Sequence, residues 1–303
     1  MKKVSIISVN FNQAVVTEDL LRSIESNNTY PNLEIIIVDN GSDYDSTISW
    51  KLRYPHVRFI RSEKNLGFAG GNNIGIEQAN ADYLFLVNND TEFSKGLVEE
   101  LVDTMERNPL VGIISPKICY FDEPKLIQYA GFTEMNFNTG RNKCIGQFER
   151  DQGQYDDRIE PTGYAHGAAM MIRSSVIPKA GLMPEAFFLY YEEMDWCERI
   201  KRSGYQVWIN TNAVIYHKES LSVGKNSPLK EYFMTRNRIL FIRRNASTIS
   251  TLLFILHFLF LVIPRNLLAY FKNKRPDLRR QFLRAICWNI YHNKNSNELG
   301  YKE

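Results

Sequence analysis

The chain has 303 residues, 44% of them hydrophobic and 23% charged, which is the balance of a globular protein with one large domain or a domain plus an appendage. That length buries most of the unfolded surface, and the four scattered cysteines (Cys119, Cys144, Cys197, Cys287) form no C-x-x-C pair, which argues against a disulfide framework or zinc finger and for a reducing compartment. The net charge of +3 hides a skew: Lys225 to Arg284 holds thirteen Lys/Arg against Glu231 and Asp277, so the C-terminal part is expected to meet an anionic partner.

The start, basic and then apolar, breaks at Asn10 with no small-residue cleavage site, so it is read as a first strand, Val4–Val9, and the cytoplasm is expected. Ala14–Asn27 carries apolar residues at helical spacing, and Glu34–Asp39 (EIIIVD) is a buried strand ending in an acid. Val57–Ile60 is a shorter strand, Gly70–Ala79 a helix after a Gly-rich loop, and Tyr83–Val87 another buried strand. Such alternation predicts an α/β domain with a mostly parallel sheet covered on both faces, binding ligands outside the C-terminal strand ends. Those ends carry Asn10, Asp39, the 65–73 loop and Asp90. Further on come a helix at Glu99–Arg107, a strand at Val111–Ile114 and an irregular stretch over 119–165. Then follow a buried strand at Gly167–Ile172, a helix at Glu192–Ser203, strands at Val207–Asn210 and Ala213–Tyr216, and a helix at Leu229–Arg244.

Five features carry candidate chemistry. Asp39 precedes Asn40-Gly41-Ser42, which favours a turn, and can accept from the imino N–H of uracil or thymine or simply cap the turn. Asn65 to Ile76 (NLGFAGGNNIGI) allows close backbone approach to a phosphate, or is an ordinary loop-to-helix turn. Asp90 in VNNDT suits a hard divalent cation, or caps a helix starting near Ser94. Glu192, Glu193 and Asp195 fall in a first helical turn, where the macrodipole favours them, and each is a candidate general base; Trp196 beside them either stacks on a sugar or packs in the core. His217 closes a strand and is a structural imidazole or a metal ligand.

In order and spacing these segments resemble the family 2 glycosyltransferases, of the rhamnosyltransferase-like branch. The matching stretches are SIISVNFN, EIIIVDNGS, NLGFAGGNNIGI, LFLVNNDTEF, GAAMMIRSSV, FFLYYEEMDWCERIKRSGY, the Tyr-His after them and YFMTRNRILFIRRN. The resemblance implies a GT-A type α/β fold and an inverting enzyme using a nucleotide-sugar donor and Mg²⁺ or Mn²⁺. It places the donor against Asn10, Asn12, Asp39, Ser42, Asn65, Gly67, Gly70, Asn73, Asn89 and Asp90. It makes Asp90 and His217 the metal ligands, with Asn88 standing where many members carry a first acid. Glu193 matches the base, by its six-residue spacing to Arg199, with Glu192 and Asp195 as rivals; Gly167 and Trp196 fall on the acceptor side. The implied division is a catalytic domain over 1–225, with its donor half about 1–115 and acceptor half about 116–225, and a helical basic region over 226–303.

Leu252–Ile263 is a run of twelve apolar or near-apolar residues broken by His257 and closed by Pro264-Arg265, short of the roughly 20 that span a bilayer. Basic clusters flank it. The reading is a helix over 245–285 lying on the inner face of the cell membrane, with docking on the core as the alternative and a kinked near-span to Phe271 disfavoured. That suits a glycan or polyprenyl-linked acceptor. Nucleic acid is not expected, because no recognition motif is present. Two other functions are disfavoured. A sugar-phosphate nucleotidyltransferase would need a basic Gly-rich loop where Asn10-Phe-Asn-Gln stands, and a non-catalytic binding relative is favoured by Asn88 alone, against Asp90, Glu193 and His217.

Overall fold

A computed structural model describes residues 1–218 and 227–301. The buried runs of the first ninety residues become β1 (Val4–Asn10), β2 (Leu33–Asn40), β3 (Val57–Ser62) and β4 (Tyr83–Val87). They pair in parallel in the order β3-β2-β1-β4. The later strands are β5 (Thr91–Phe93), β6 (Val111–Tyr120), β7 (Ile127–Tyr129), β8 (Ile159–Pro161), β9 (Ala169–Arg173) and β10 (Gln206–His217). The sheet continues β9-β6-β10-β5. The expected parallel arrangement holds for β1 to β4. Beyond them the sheet is mixed, because β9 runs antiparallel to both β4 and β6. This double reversal leaves β6 and β10 pointing the same way as β4, so His217 ends up on the same edge as Asn10, Asp39 and Asp90.

Alternate side chains of each strand face opposite ways. Ile6, Ile37 and Phe85 pack beneath α1 (Ala14–Asn27), α2 (Thr47–Arg53) and a later helix, Leu97–Arg107. Ile7, Ile36 and Leu86 face α3 (Gly67–Gln78) on the other side. That later helix is α4, and it packs on β6 and β10. Asp90 does not cap it: β5 intervenes, and Gly96 is the residue before α4.

The glycines of α3 serve helix packing. A Cβ on Gly75 would stand 2.3 Å from Ile7 Cγ2, and one on Gly71 2.7 Å from Val9 Cγ1. Ile7 is wholly enclosed. Gly75→Ala is therefore expected to destabilise the fold by about 1–3 kcal/mol in urea unfolding, as overpacking does. An unchanged midpoint would contradict this close approach.

The second layer continues with α5 (Ile177–Ala180), α6 (Glu192–Arg202), α7 (Pro228–Asn245), α8 (Thr248–His257), α9 (Ile263–Lys272) and α10 (Pro276–Tyr291). The expected boundary at 225/226 lies outside the described residues. Beyond it, α7 and α10 share the core of α3 and α6, through Leu240, Phe241, Phe282 and Trp288. The apolar run is longer than the twelve residues read from sequence. A π-helical turn at Phe258–Val262 joins α8 to α9, making one helix, Thr248–Lys272, of 25 residues. Its length and composition are those of a membrane-crossing helix. Phe254, Phe258 and Val262 form a buried stripe, while Leu259, Phe260, Leu261, Leu268 and Phe271 stand exposed.

Candidate active site

The strand ends are tied together by a polar chain. Asn10 Nδ2 donates to Asp39 Oδ1 (2.7 Å) and Ser42 Oγ (3.1 Å), and its Oδ1 accepts from Thr17 Oγ1 (2.9 Å). Thr17 Oγ1 in turn accepts from Asn89 Nδ2 at 3.1 Å. Asn12, with positive φ, exchanges hydrogen bonds with Asp43 and donates its backbone N–H to Ser42 Oγ. These seven residues shape the edge through hydrogen bonds to one another.

Asp39 corrects the sequence reading most sharply. Its side chain is completely enclosed. Oδ1 accepts from Asn10 and Ser42, and Oδ2 accepts from Arg61 Nη1 at 2.7 Å. Both carboxylate oxygens thus have partners on β1, β3 and the turn after β2. The group that reaches outward is Arg61, whose side chain is one third exposed and whose Nη2 also donates to Ser42 O at 2.7 Å. Nothing in the sequence marks Arg61, since its partner lies 22 residues away on the neighbouring strand.

The Gly-rich stretch is also revised. Asn65 Oδ1 accepts from Asn40 Nδ2 (3.1 Å) and Gly67 N (2.8 Å). Gly67 has φ 74°, and a Cβ there would meet Phe188 O at 2.3 Å. Phe68 N donates to that same carbonyl at 2.8 Å. Gly70 packs on Leu66, and Asn73 clamps Met183 and Glu185. So Gly67, Gly70 and Asn73 lie in α3, and the segment holds the loop before α6.

Asp90 and His217 meet at the other end of the edge. Both are buried, with Asp90 Oδ1 and His217 Nε2 3.0 Å apart. Neither atom has a hydrogen bond. His217 Nδ1 lies 2.8 Å from Gln128 Oε1, so an N–H on Nδ1 has an acceptor there. Asp90 Oδ1 and His217 Nε2 face each other at a distance that suits either an imidazolium N–H donating to the carboxylate or two neighbouring ligands of one cation. The pair is a fit for two ligands of a divalent ion, while among the described residues no group of three His, Cys, Asp or Glu side chains could hold one.

The segment 166–168 joins this pair to the acids of α6. The His166 and His217 ring centroids are 6.5 Å apart. A Cβ on Gly167 would lie 3.9 Å from Glu193 Cδ and 3.8 Å from Phe68 Cζ. Ala168 O accepts from Asn88 N at 2.9 Å. Burial pushes His166 down to about 3, with His217 adding to the shift, so it stays neutral. The sequence reading kept Gly167 but passed over His166, which its place just before the GAAMMI strand could have flagged.

The three acids separate cleanly. Asp195 is locked: Arg244 Nε (3.0 Å), Arg199 Nε (3.3 Å) and Asn245 Nδ2 (2.8 Å) surround it. It is no base. Asp195→Ala takes the carboxylate from two part-buried guanidinium groups and from Asn245, and is expected to cost about 1–3 kcal/mol in chemical unfolding; an unchanged midpoint would contradict this role. Glu192 is buried, and burial first, then the neighbouring Glu193, raise its pKa well above the usual carboxylate range, so it keeps its proton. Glu193 is half-buried, and burial lifts it to about 7. Trp196 is fully enclosed, and its Nε1 donates to Gly181 O at 2.8 Å. It packs in the core and does not stack on an acceptor.

The turn into α6 is strained and held from behind. Phe188, Tyr190 and Tyr191 all have positive φ. Asn237 Nδ2, fully buried in α7, lies within 2.8–2.9 Å of Phe187 O, Leu189 O and Tyr190 O. Arg236, equally buried, donates from Nη1 to Ala186 O (2.8 Å) and from Nη2 to Glu298 O (3.0 Å). The C-terminal helices thus fix the segment that presents Glu193.

Comparison with known proteins places the chain in a family and a fold. The family model described as Glycosyl transferase family 2 matches residues 5–177. A low-salt glycan biosynthesis hexosyltransferase, Agl10 of Haloferax volcanii, is 28% identical over 215 residues, covering 68% of this chain and 66% of that protein. The N-acetylglucosaminyl-diphospho-decaprenol L-rhamnosyltransferase of Mycobacterium tuberculosis is 24% identical, covering 70% and 75%. Among solved structures, the mannosyltransferase PcManGT of Pyrobaculum calidifontis, in complex with GDP-Man and Mn²⁺, superposes with TM-score 0.58 at 15% identity, covering 96% of this chain and 87% of that one. That likeness speaks for the GT-A fold.

Proposed function

This chain belongs to glycosyl transferase family 2, and from that premise we propose that it moves a hexosyl or rhamnosyl residue from a nucleoside-diphosphate sugar to an acceptor hydroxyl, inverting the anomeric centre. The observation that carries the reading is Glu193: a half-buried carboxylate at the sheet edge, raised to about 7, beside Gly167 and one short segment from Asp90 and His217. A base of that pKa is half ionised at neutral pH, where general-base catalysis works best.

The nucleotide lies over the Asn10–Asp39–Arg61 edge, where Arg61 offers donors and Asp39 holds Arg61 in place. A divalent ion, Mg²⁺ or Mn²⁺, held by Asp90 Oδ1 and His217 Nε2 together with diphosphate oxygens, would supply Lewis-acid stabilisation of the leaving group. Glu193 takes the proton from the acceptor hydroxyl, whose oxygen attacks the anomeric carbon as the nucleoside diphosphate departs. A single displacement needs one protein carboxylate, which matches one available acid among three. The names of the hexosyl- and rhamnosyltransferase relatives support the sugar class. The exposed side of Thr248–Lys272 supports a place at a membrane surface and a lipid-linked acceptor.

Inversion is read by NMR of the glycoside formed: an α-linked donor is expected to give a β-linked product, and retained configuration sinks the single-displacement mechanism. Asp90→Asn is expected to remove metal-enhanced binding of UDP or dTDP by calorimetry and leave the metal-free affinity near wild type. Equal metal enhancement in both proteins would remove Asp90 from the ligand set.

A further inference from the structure

A cavity of about 260 Å³ adjoins the segment that presents Glu193. Tyr191, Arg141, Asn142, Arg238 of α7, Phe258 and Phe282 are among the residues that line it. No Asp or Glu lines it.

The donors in this wall are underused. Arg238 spends Nε on Gly140 O (3.1 Å) and Nη2 on Thr139 O, and its Nη1 makes no hydrogen bond among the described residues. Asn142 Nδ2 is buried without a partner. Arg141 and Arg265 have no ion pair with an acid among the described residues. Both lie near enough to Arg238 that, after burial, their charges depress its pKa. The part-buried Arg238, with Arg141 and Arg265 close by and a buried amide left unsatisfied, gives a cluster of donors that an anion with several oxygens would engage.

The other side of the cavity is apolar. Phe258 belongs to Thr248–Lys272, whose far face exposes Leu259, Phe260 and Leu261. A ligand seated here has its charged end against arginines and its next atoms against an apolar helix.

We propose that this cavity seats the phosphate or diphosphate head of an amphiphilic acceptor, with the apolar chain leaving along Thr248–Lys272 and the sugar end reaching Glu193 past Tyr191. This rests on the reading of Glu193 as the base, because it sets which way the acceptor faces.

The test uses the full chain in zwitterionic micelles with farnesyl diphosphate, inorganic diphosphate and farnesol as probes, read by calorimetry. Farnesyl diphosphate is expected to bind at least about tenfold more tightly than either half alone, since both ends contribute. Arg141→Gln with Arg265→Gln, at two exposed positions, is expected to weaken it by about 100-fold, roughly tenfold per charge-assisted contact, with the thermal shift by UDP or dTDP unchanged. The proposal is overturned if the double variant binds as wild type does, or if inorganic diphosphate alone binds equally well. It is also overturned if UDP displaces the probe, which would put it in the donor site, or if anionic phosphatidylglycerol vesicles compete equally, which would make the cavity a general headgroup surface. Full activity of Glu193→Gln with farnesyl diphosphate binding intact would fault the base and its orientation, leaving the anion site standing.

Discussion

Glu193→Gln is expected to lower glycosyl transfer by about 10²–10⁴-fold, the usual contribution of a positioned general base, while donor binding stays within about twofold. The amide keeps the size and hydrogen-bonding reach of the carboxyl and loses only the capacity to take a proton. The pH profile gives the same group a second signature. Burial raises Glu193 to about 7, and a base works only when ionised. The log of kcat/KM for wild type is therefore expected to fall with unit slope below about pH 7, where Glu193 gains its proton. That limb should vanish in whatever slow turnover the variant retains. Full turnover by Glu193→Gln, or an acid limb unchanged in it, would remove Glu193 from this role. Glu192 offers no substitute, because it is enclosed, and burial and then Glu193 raise its pKa well above the usual carboxylate range.

Asn237→Ala is expected to reduce kcat by about 100-fold with little change in donor KM. Its Nδ2, with two N–H groups to share, lies within 2.8–2.9 Å of the carbonyls of Phe187, Leu189 and Tyr190. Those residues lead through Tyr191 directly into Glu192 and Glu193. The three positive φ angles of Phe188, Tyr190 and Tyr191 cost of order 1–3 kcal/mol each and persist only while their surroundings enforce them. Without the clamp the turn relaxes, and a displacement of about 1 Å at the reacting group is worth roughly 10²-fold in rate. Stability should fall as well, by about 1–3 kcal/mol for buried carbonyls left unpaired. The two effects are separable. A protein folded at the assay temperature, slow in kcat but normal in donor binding, supports a positioning role. Normal kcat with reduced stability would make Asn237 a purely structural residue.

The elements that position the site were legible in the sequence wherever one element was enough to read. β1, β2 and β4 announced themselves as continuous apolar runs, and α1 by its periodicity, because burial on both faces or one face writes directly into residue order. Glu193, Asp90 and His217 could be picked out because each sits where a strand or an aromatic run ends. What lay hidden depends on distant partners. Asp39 looks available in sequence; only the neighbouring strand shows that Arg61 occupies it. Asp195 looks like Glu193's equal until Arg244, 49 residues later, closes on it. The glycines of α3 mark a close backbone approach, and sequence cannot say what approaches: here it is Ile7, Val9 and Phe188. Asn237 sits mid-helix with no local signal, and its three acceptors are 47 to 50 residues away. Pro264 closes the apolar run in sequence, yet the helix continues, because a π-helical turn before it carries the chain through to Lys272.

The central claim is transfer from a nucleotide sugar, and the most direct measurement is nucleoside diphosphate release from a panel of UDP-, dTDP- and GDP-sugars with Mn²⁺ or Mg²⁺ present, run beside a thermal-shift series with the free nucleotides. The expected result is release from at least one donor, with a thermal shift by the matching nucleotide. No release from any donor, and no shift by any nucleotide, would contradict the enzyme reading.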